Sequence, residues 1–117
     1  MDKLFKYIQT HQIETLSGGD SDFQKELVDI FLEQIDEFVG NMKKYLESEE
    51  WTKLAKEAHT AKSSALTFGM NDTGKLLKEI QLEAEALSLE HVPYKVKTAI
   101  EHLESAIPEL NEYKASL

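Results

Sequence analysis

The sequence contains no cysteine, only two prolines and five glycines among 117 residues, and no long apolar run. Without cysteine the chain cannot form disulfides, bind zinc through thiolates or use a cysteine nucleophile, and this composition suits a reducing compartment. No segment resembles a membrane span or a signal peptide, since Met1 leads straight into charged residues. We therefore expect a cytoplasmic protein that does not contact the membrane.

Basic residues are also scarce, with 13 Lys and Arg against 22 Asp and Glu and a formal net charge of -9. This balance argues against nucleic-acid binding, because proteins that bind a phosphate backbone gather lysine and arginine. The glycines are isolated and form no loop that cradles phosphates, so we expect no ATP site. The length fits one domain, 1–117, which we expect to be a monomer.

Glycine and proline divide the chain into a short N-terminal segment, 1–18, and four longer segments between about 20 and 115. Apolar residues in the longer segments recur at spacings of three and four, which is typical of helices with one buried face. A short helix is predicted over 10–16. The residues expected to cap, end or break the long helices are Asp20 or Ser21 (with Gln24 as a capping box), Ser48, Gly69, Asn71 or Asp72, Pro93 and Pro108.

Each long helix has a predicted buried stripe. In chain order the stripes are Phe23, Leu27, Ile30, Phe31, Gln34, Ile35, Phe38, Met42 and Leu46; Leu54, Ala58, Ala61, Ala65 and Phe68; Leu76, Leu77, Ile80, Ala84 and Leu87; and Val96, Ile100, Leu103, Ile107 and Leu110. Four such helices with short connections predict an all-α fold, an antiparallel up-down four-helix bundle with a short N-terminal helix. A bundle with no function beyond binding a partner fits these patterns equally well.

One histidine lies outside the apolar stripe of its own helix. At about 100° per residue, His59 falls about 140° from the centre of the second helix's seam, so it is predicted to face solvent. The same projection places Lys56, Ser63 and Leu66 near its side of the helix and Lys62 at the margin. His59 is therefore not a core histidine.

The turn near Met70 brings a second helix to the histidine. If the chain reverses there, positions that sum to about 140 lie level, which pairs His59 with Gln81 and Lys62 with Lys78. An acidic chain would thus surround one exposed imidazole with lysines, as an incoming phosphoryl group requires. Ordinary solvated lysines remain the simpler interpretation of Lys56 and Lys78.

The run His59-Thr60-Ala61-Lys62-Ser63-Ser64-Ala65, followed by Phe68-Gly69, resembles the signature of histidine-containing phosphotransfer (HPt) domains, H-x-L-K-G-S-[SA]. The resemblance extends over nearly the whole chain. It implies a bundle that relays phosphoryl groups between aspartates of receiver domains, in response regulators or hybrid histidine kinases. It also implies that His59 is phosphorylated, that Lys62 balances the phosphoryl charge and that Gln81 lies beside the histidine. Ser63 and Ala61 depart from the family's glycine and leucine.

The chemistry implied by this resemblance needs a neutral imidazole with a free nitrogen. We expect Nε2 of His59 to be the nucleophile and Nδ1 to carry the proton, with Ser63 or Gln81 as hydrogen-bond donors to the phosphoryl oxygens. The receiver would supply the aspartate and the Mg²⁺ site, so no cofactor or metal is expected on this chain. Lys56, Lys78 and Leu66 are expected to contact the receiver, helped by Ile8, Ile13 and Leu16 unless these pack onto the bundle end.

Other functions remain open at this point. The chain is either a relay carrier, an adaptor that binds a receiver or kinase without chemistry, or the phosphorylated domain of a larger chemotaxis-type kinase. A metal site built from His11, His59, His91 and His102 is disfavoured, because no two of them are three or four residues apart.

Overall fold

The computed structural model describes residues 4–117, which form five α-helices and, within that range, no β-strand. Helices α2 to α5 pack in a ring in which each contacts its two neighbours, and α1 packs on α2. Short connections make successive helices antiparallel, so the predicted four-helix bundle with a short N-terminal helix is confirmed. No helix in the described part of the chain is long and apolar enough to cross a membrane. The helices are α1 (His11–Ser17), α2 (Ser21–Glu47), α3 (Trp51–Thr67), α4 (Asn71–Glu85) and α5 (Val92–Ser116).

The helix ends follow the polar and glycine signals of the sequence, with two corrections. Asp20 caps α2, since its Oδ1 accepts from the backbone N–H groups of Asp22 at 3.0 Å and of Phe23 at 3.1 Å. Gly69 follows α3 with a φ of 70°, in the left-handed region that favours glycine. The capping box of Ser21 and Gln24 is wrong, because the Gln24 side chain is buried and bonded elsewhere.

The second correction concerns Ser48, which was expected to cap α3. It follows the last residue of α2 as that helix's C-cap, and its hydroxyl donates to the carbonyl of Lys44. The residue at the N-cap of α3 is Glu50, whose side chain makes no capping hydrogen bond. The turn between α2 and α3 therefore comprises residues 48–50.

The core lies between the four long helices. The predicted α3 seam is confirmed, since Leu54, Ala58, Ala61, Ala65 and Phe68 are all buried. The three alanines in this seam let α3 approach its neighbours closely. The stripe of α2 is partly wrong, because Phe23 is 42% and Ile30 is 51% exposed. The residues that α2 buries are Gln24, Val28, Phe31, Ile35, Phe38, Val39 and Met42.

The last two helices differ from expectation at four positions. Leu87 lies beyond the end of α4 and is exposed, and Leu76 and Ile107 are only partly buried. Pro108 neither breaks nor ends α5, which continues to Ser116. The proline and Glu104, whose carbonyl loses its hydrogen bond at that point, both face solvent, so water can hydrate the freed oxygen.

The N-terminal segment is tied to the end of the bundle that carries the α3–α4 turn. The Glu109 carboxylate accepts three consecutive backbone N–H groups, those of residues 6, 7 and 8, at 2.8–3.1 Å. The N–H of Gln9 donates to the carbonyl of Phe68 at 2.9 Å. Residues 1–3 of the predicted segment 1–18 lie outside the described residues.

A buried polar chain joins α1, α2 and α5 at the same end. Gln24 donates to the Ser17 hydroxyl at 2.8 Å and accepts from the Tyr113 hydroxyl at 3.3 Å. Burial, and to a smaller extent the charge of Glu14, raise the pKa of Tyr113. A glutamine in the core is tolerated here because both ends of its amide have partners.

Candidate functional site

His59 projects from the middle of α3 into solvent, as the helical projection predicts. Its Nδ1 lies 3.2 Å from Oε1 of Gln81 on α4. The amide Nε2 of Gln81 in turn donates to Oε2 of Glu85, one helical turn further along α4, at 3.4 Å. This second contact orients the amide with its oxygen toward the histidine. With the amide in this orientation, Oε1 of Gln81 accepts from Nδ1–H of His59, and Nε2 is the ring nitrogen with no hydrogen-bond partner among the described residues.

The α3–α4 register that produces this pair is repeated nearby. Leu66 packs on Gly74, where an added Cβ would lie 2.5 Å from the Leu66 Cδ2 atom. Both pairs of positions, 59 with 81 and 66 with 74, sum to 140 as the turn near Met70 predicts. Gly74 is buried, and its missing side chain provides the space that lets Leu66 lie flat against α4. Leu66 keeps 38% of its surface exposed on the His59 side of the hairpin.

The lysines around His59 have no ion-pair partners among residues 4–117. Lys56 and Lys78 are exposed and Lys62 is partly buried, and no described carboxylate lies within ion-pair distance of any of the three. Lys53, the other lysine of α3, is instead held by Glu50 at 2.8 Å. The lysines beside the histidine therefore remain available to an anion.

The carboxylates of the same two helices point to other partners. Glu57, the one acidic residue of α3, accepts from the side chain of Asn41 on α2 at 2.8 Å. Glu79 and Glu83 of α4 both contact Lys95 on α5. Glu85 is the carboxylate that remains close to the site, where it holds Gln81. A chain with a net charge of -9 thus presents a locally cationic surface around one imidazole.

The hydroxyl groups near the histidine differ in their availability. Thr60 and Thr67 donate to backbone carbonyls of their own helix, those of Lys56 and Ser63. The Ser64 hydroxyl donates to Gln34 on α2 at 2.9 Å. Ser63 is exposed, one turn beyond His59, and its hydroxyl makes no hydrogen bond within the described range. It is therefore the hydroxyl that can turn toward a ligand at the imidazole.

The expected contribution of the N-terminal segment to an exposed patch is largely wrong. Ile8 and Ile13 are buried at the bundle end, with 1% and 0% of their surface exposed, so neither can meet a partner. They fill the space beside the α3–α4 turn, where the backbone of Gln9 touches Gly69. Leu16 is exposed, and its role in docking stays a prediction.

Two supporting contacts near the site were not predicted from the sequence. Glu85 supports Gln81, and Gly74 supports Leu66. Both could have been found from residue spacing. Glu85 follows Gln81 by four residues, and Gly74 is level with Leu66 by the same count that pairs His59 with Gln81.

Comparisons with known proteins identify the family to which the chain belongs. The family model described as the Hpt domain matches residues 26–110, which is most of the chain. The chain therefore belongs to the Hpt domain family, as the resemblance implied. The match includes His59, Lys62 and Gln81 within its bounds.

Two known proteins are similar to the chain. The phosphorelay intermediate protein YPD1 of Candida albicans is 30% identical over 70 residues, which are 60% of this chain and 38% of that protein. The chain thus spans well under half the length of this curated relative. The crystal structure of histidine-containing phosphotransfer protein B (HptB) from Pseudomonas aeruginosa PAO1 matches with a TM-score of 0.86 and 15% identity, over 95% of this chain and 96% of that one. This likeness shows a shared fold.

Proposed function

We propose that the chain is a phosphoryl carrier of a two-component phosphorelay. His59 accepts a phosphoryl group from the aspartate of one receiver domain and passes it to the aspartate of another. The observation that carries the proposal is the exposed imidazole of His59, whose Nδ1–H is fixed on Gln81 so that Nε2 faces solvent. Membership of the Hpt domain family supports it.

The transfer step requires little of the chain beyond position and charge. Nε2 of His59 attacks the phosphorus of the receiver's acyl phosphate in line, the P–N bond forms, and the P–O bond to the aspartate breaks to release a carboxylate. The ring becomes positively charged as the new bond forms. The carbonyl oxygen of Gln81 stabilises that charge through Nδ1–H, and the reverse step restores the neutral ring.

Lys62 and Ser63 are proposed to contact the transferred group. A phosphoryl group carries nearly two negative charges and three acceptor oxygens. Lys62 follows His59 by three residues, so it lies on the adjacent turn of the same side of α3, and no carboxylate of residues 4–117 forms an ion pair with its ammonium group. Ser63 lies one turn beyond His59 and offers a hydroxyl donor. These charge-assisted contacts lower the energy of the transition state most when the receiver excludes water.

The receiver is proposed to dock on the surface formed by Lys56, Leu66, Lys78 and Leu16. Lysines flank the imidazole on both helices, and Leu66 gives that surface an apolar centre. The acidic pocket and the Mg²⁺ belong to the receiver, and cationic side chains on this chain complement them. We propose that the chain uses no ATP or metal of its own. Its cytoplasmic location and monomeric state stay predictions of the sequence.

Transfer of radioactive phosphate tests the proposal. A panel of receiver domains is phosphorylated on aspartate and mixed with the wild-type chain, with His59→Gln and with His91→Gln, which alters another exposed histidine. We expect the wild-type and His91→Gln proteins to take up a label that is lost in acid and stable in alkali. The His59→Gln protein should take up none.

Two results would contradict this assignment. Uptake by His59→Gln at the wild-type rate would place the acceptor elsewhere. Stable complexes with a phosphorylated receiver that never label the wild-type chain would favour an adaptor without chemistry.

A further inference from the structure

A groove of about 290 Å³ opens between the start of α3 and the end of α4, beside the His59 site. Ala55 precedes His59 by four residues and Glu85 follows Gln81 by four, so the groove begins one helical turn from the site on both helices. Two of its lining residues, Ala55 and Ala84, are buried, whereas Leu87, which follows the end of α4, is exposed. Its lining residues are Thr52, Ala55, Lys56, Ala84, Glu85 and Leu87.

Leu87 combines two features that folding alone does not favour. Its φ is 55°, in the left-handed region where glycine or asparagine usually follows a helix end. Its side chain is 65% exposed, so it adds almost nothing to the core. Glu49, with a φ of 56°, is the other described non-glycine residue in that region, and its side chain is polar and solvated. An exposed leucine in this conformation points to an interaction outside the chain.

Building on the function proposed above, we propose that this groove and Leu87 belong to the receiver contact. Leu87 packs against an apolar side chain of the receiver, and that side chain enters the groove over Ala55 and Ala84. The contact strengthens docking and selects receivers with an apolar residue at the matching position. It takes no part in the chemistry at Nε2 of His59.

The receiver is the occupant because the groove lies inside any receiver footprint centred on His59. A standard interface covers about 800 Å² of each partner, which corresponds to a disc with a radius of roughly 16 Å. Glu85, the last residue of α4, is four residues beyond Gln81, roughly 6 Å along the helix axis, and Leu87 follows it by two residues. A docked receiver therefore covers the groove and removes Leu87 from water.

The chemistry of the groove fits an apolar side chain better than a second phosphate. Its rim carries one cation, Lys56, and one anion, Glu85, while its floor is formed by methyl groups. The Glu85 carboxylate also holds the Gln81 amide, so it faces the site with a negative charge. An apolar centre with charged residues at its edge is the usual composition of a protein-binding hot spot.

The test uses Leu87→Asn, because asparagine tolerates the left-handed conformation and removes the apolar side chain. Single-turnover transfer is measured against increasing concentrations of a phosphorylated receiver that labels the wild-type chain. We expect the half-saturating receiver concentration to rise about tenfold, the limiting rate to stay unchanged and Tm not to fall. Leu87→Met should remain within about twofold of wild type, because it keeps an apolar side chain of similar reach.

Glu49→Asn is the matched control at the equivalent position after α2. It should leave the half-saturating concentration unchanged. The proposal is overturned if Leu87→Asn binds receiver like wild type, if Glu49→Asn weakens binding equally, or if Leu87→Asn lowers the limiting rate alone. If no receiver labels the wild-type chain, the proposed function fails and this inference fails with it. If the wild-type chain is labelled on His59 and Leu87→Asn binds the receiver equally well, the groove contact is refuted and the proposed function stands.

Discussion

The two sides of α4 use charge in opposite ways. Toward α5, Glu79 and Glu83 both contact Lys95, whose side chain is four-fifths buried between the helices. Their hydrogen bonds, that of Glu83 foremost, raise the pKa of Lys95. Toward α3, Gln81 meets the exposed His59, and the nearby Lys62 and Lys78 have no acidic partner in the described chain.

The charges on the α5 side of α4 stabilise the fold, whereas the lysines on the α3 side are free to bind a ligand. The Lys95 cluster satisfies its charges internally, so it joins two helices and leaves little attraction for a partner. The lysines near His59 form no ion pair within residues 4–117. In the proposed function a phosphoryl group becomes their partner, so we expect the two sides of α4 to respond differently to substitution.

Among the substitutions that keep His59, Lys62→Met should have the largest effect on transfer. Methionine keeps the length and apolar stem of the side chain and removes its charge, so stability should change by less than about 0.5 kcal/mol. Loss of one charge-assisted contact to the phosphoryl group should slow transfer from a receiver about tenfold to a hundredfold. Single-turnover rates and thermal unfolding test both statements. Lys97→Met, on the exposed side of α5, is the control, and an equal loss there would mean that only general charge matters.

Gln81→Leu should slow transfer about tenfold, since the ring loses the acceptor that fixes its proton on Nδ1. The Nε2–H tautomer then becomes populated, and that form has no lone pair at the attacking nitrogen. Rapid-quench transfer assays measure the rate. Glu79→Gln, on the opposite side of the same helix, should transfer at the wild-type rate. Equal rates for wild type and Gln81→Leu would remove Gln81 from the site.

Lys95→Met should reverse the pattern of Lys62→Met, with a lower Tm and an unchanged transfer rate. In this variant Glu79 and Glu83 lose the cation that both contact. Because the folded-state pKa of Lys95 is raised, its contribution is present below the unfolded pKa of about 10.5 and is lost as the pH rises through the folded value. The difference in unfolding free energy between wild type and variant should therefore shrink in strong alkali. A difference that stays constant with pH, or a slower transfer, would contradict this role.

Ser63→Gly should have the smallest effect. Glycine removes the free hydroxyl and opens space beside the phosphoryl group, so transfer should change by less than about threefold. A glycine inside α3 should cost about 0.5 kcal/mol of stability, measured by denaturant unfolding. A tenfold loss of transfer would instead make the Ser63 hydroxyl a principal contact of the phosphoryl group.

Much of the fold followed from local sequence signals. Asp20, Gly69 and Pro93 mark helix ends by backbone chemistry that does not depend on the rest of the chain. The seam of α3 was also predictable, because its small apolar residues occupy a single narrow stripe. The count across the turn near Met70 placed Gln81 beside His59, since a short tight turn leaves little freedom in the register.

The burial predictions were wrong where a helix carries two adjacent apolar stripes, or where contacts with segments distant in the sequence determine burial. Helix α2 carries apolar residues on adjacent stripes, so Ile30 and Phe31 could not be ranked without knowing where α3 and α5 pack. Gln24 can be buried because its amide forms hydrogen bonds with Ser17 and Tyr113. Tyr113 is 89 residues away in the sequence. Ile13 is buried at the bundle end, where the Glu109 carboxylate accepts from the backbone N–H groups of residues 6–8. None of these contacts has a local signature.

The nitrogen that carries the phosphoryl group tests the central claim most directly. Nitrogen-15 and phosphorus-31 NMR of the ring-labelled chain, recorded before and after transfer from a receiver, resolves both ring nitrogens of His59. We predict a protonated Nδ1 and a bare Nε2 before transfer, and phosphorus coupled to Nε2 of His59 afterwards. Phosphorus coupled to Nδ1, or to the ring of another histidine, would contradict the account.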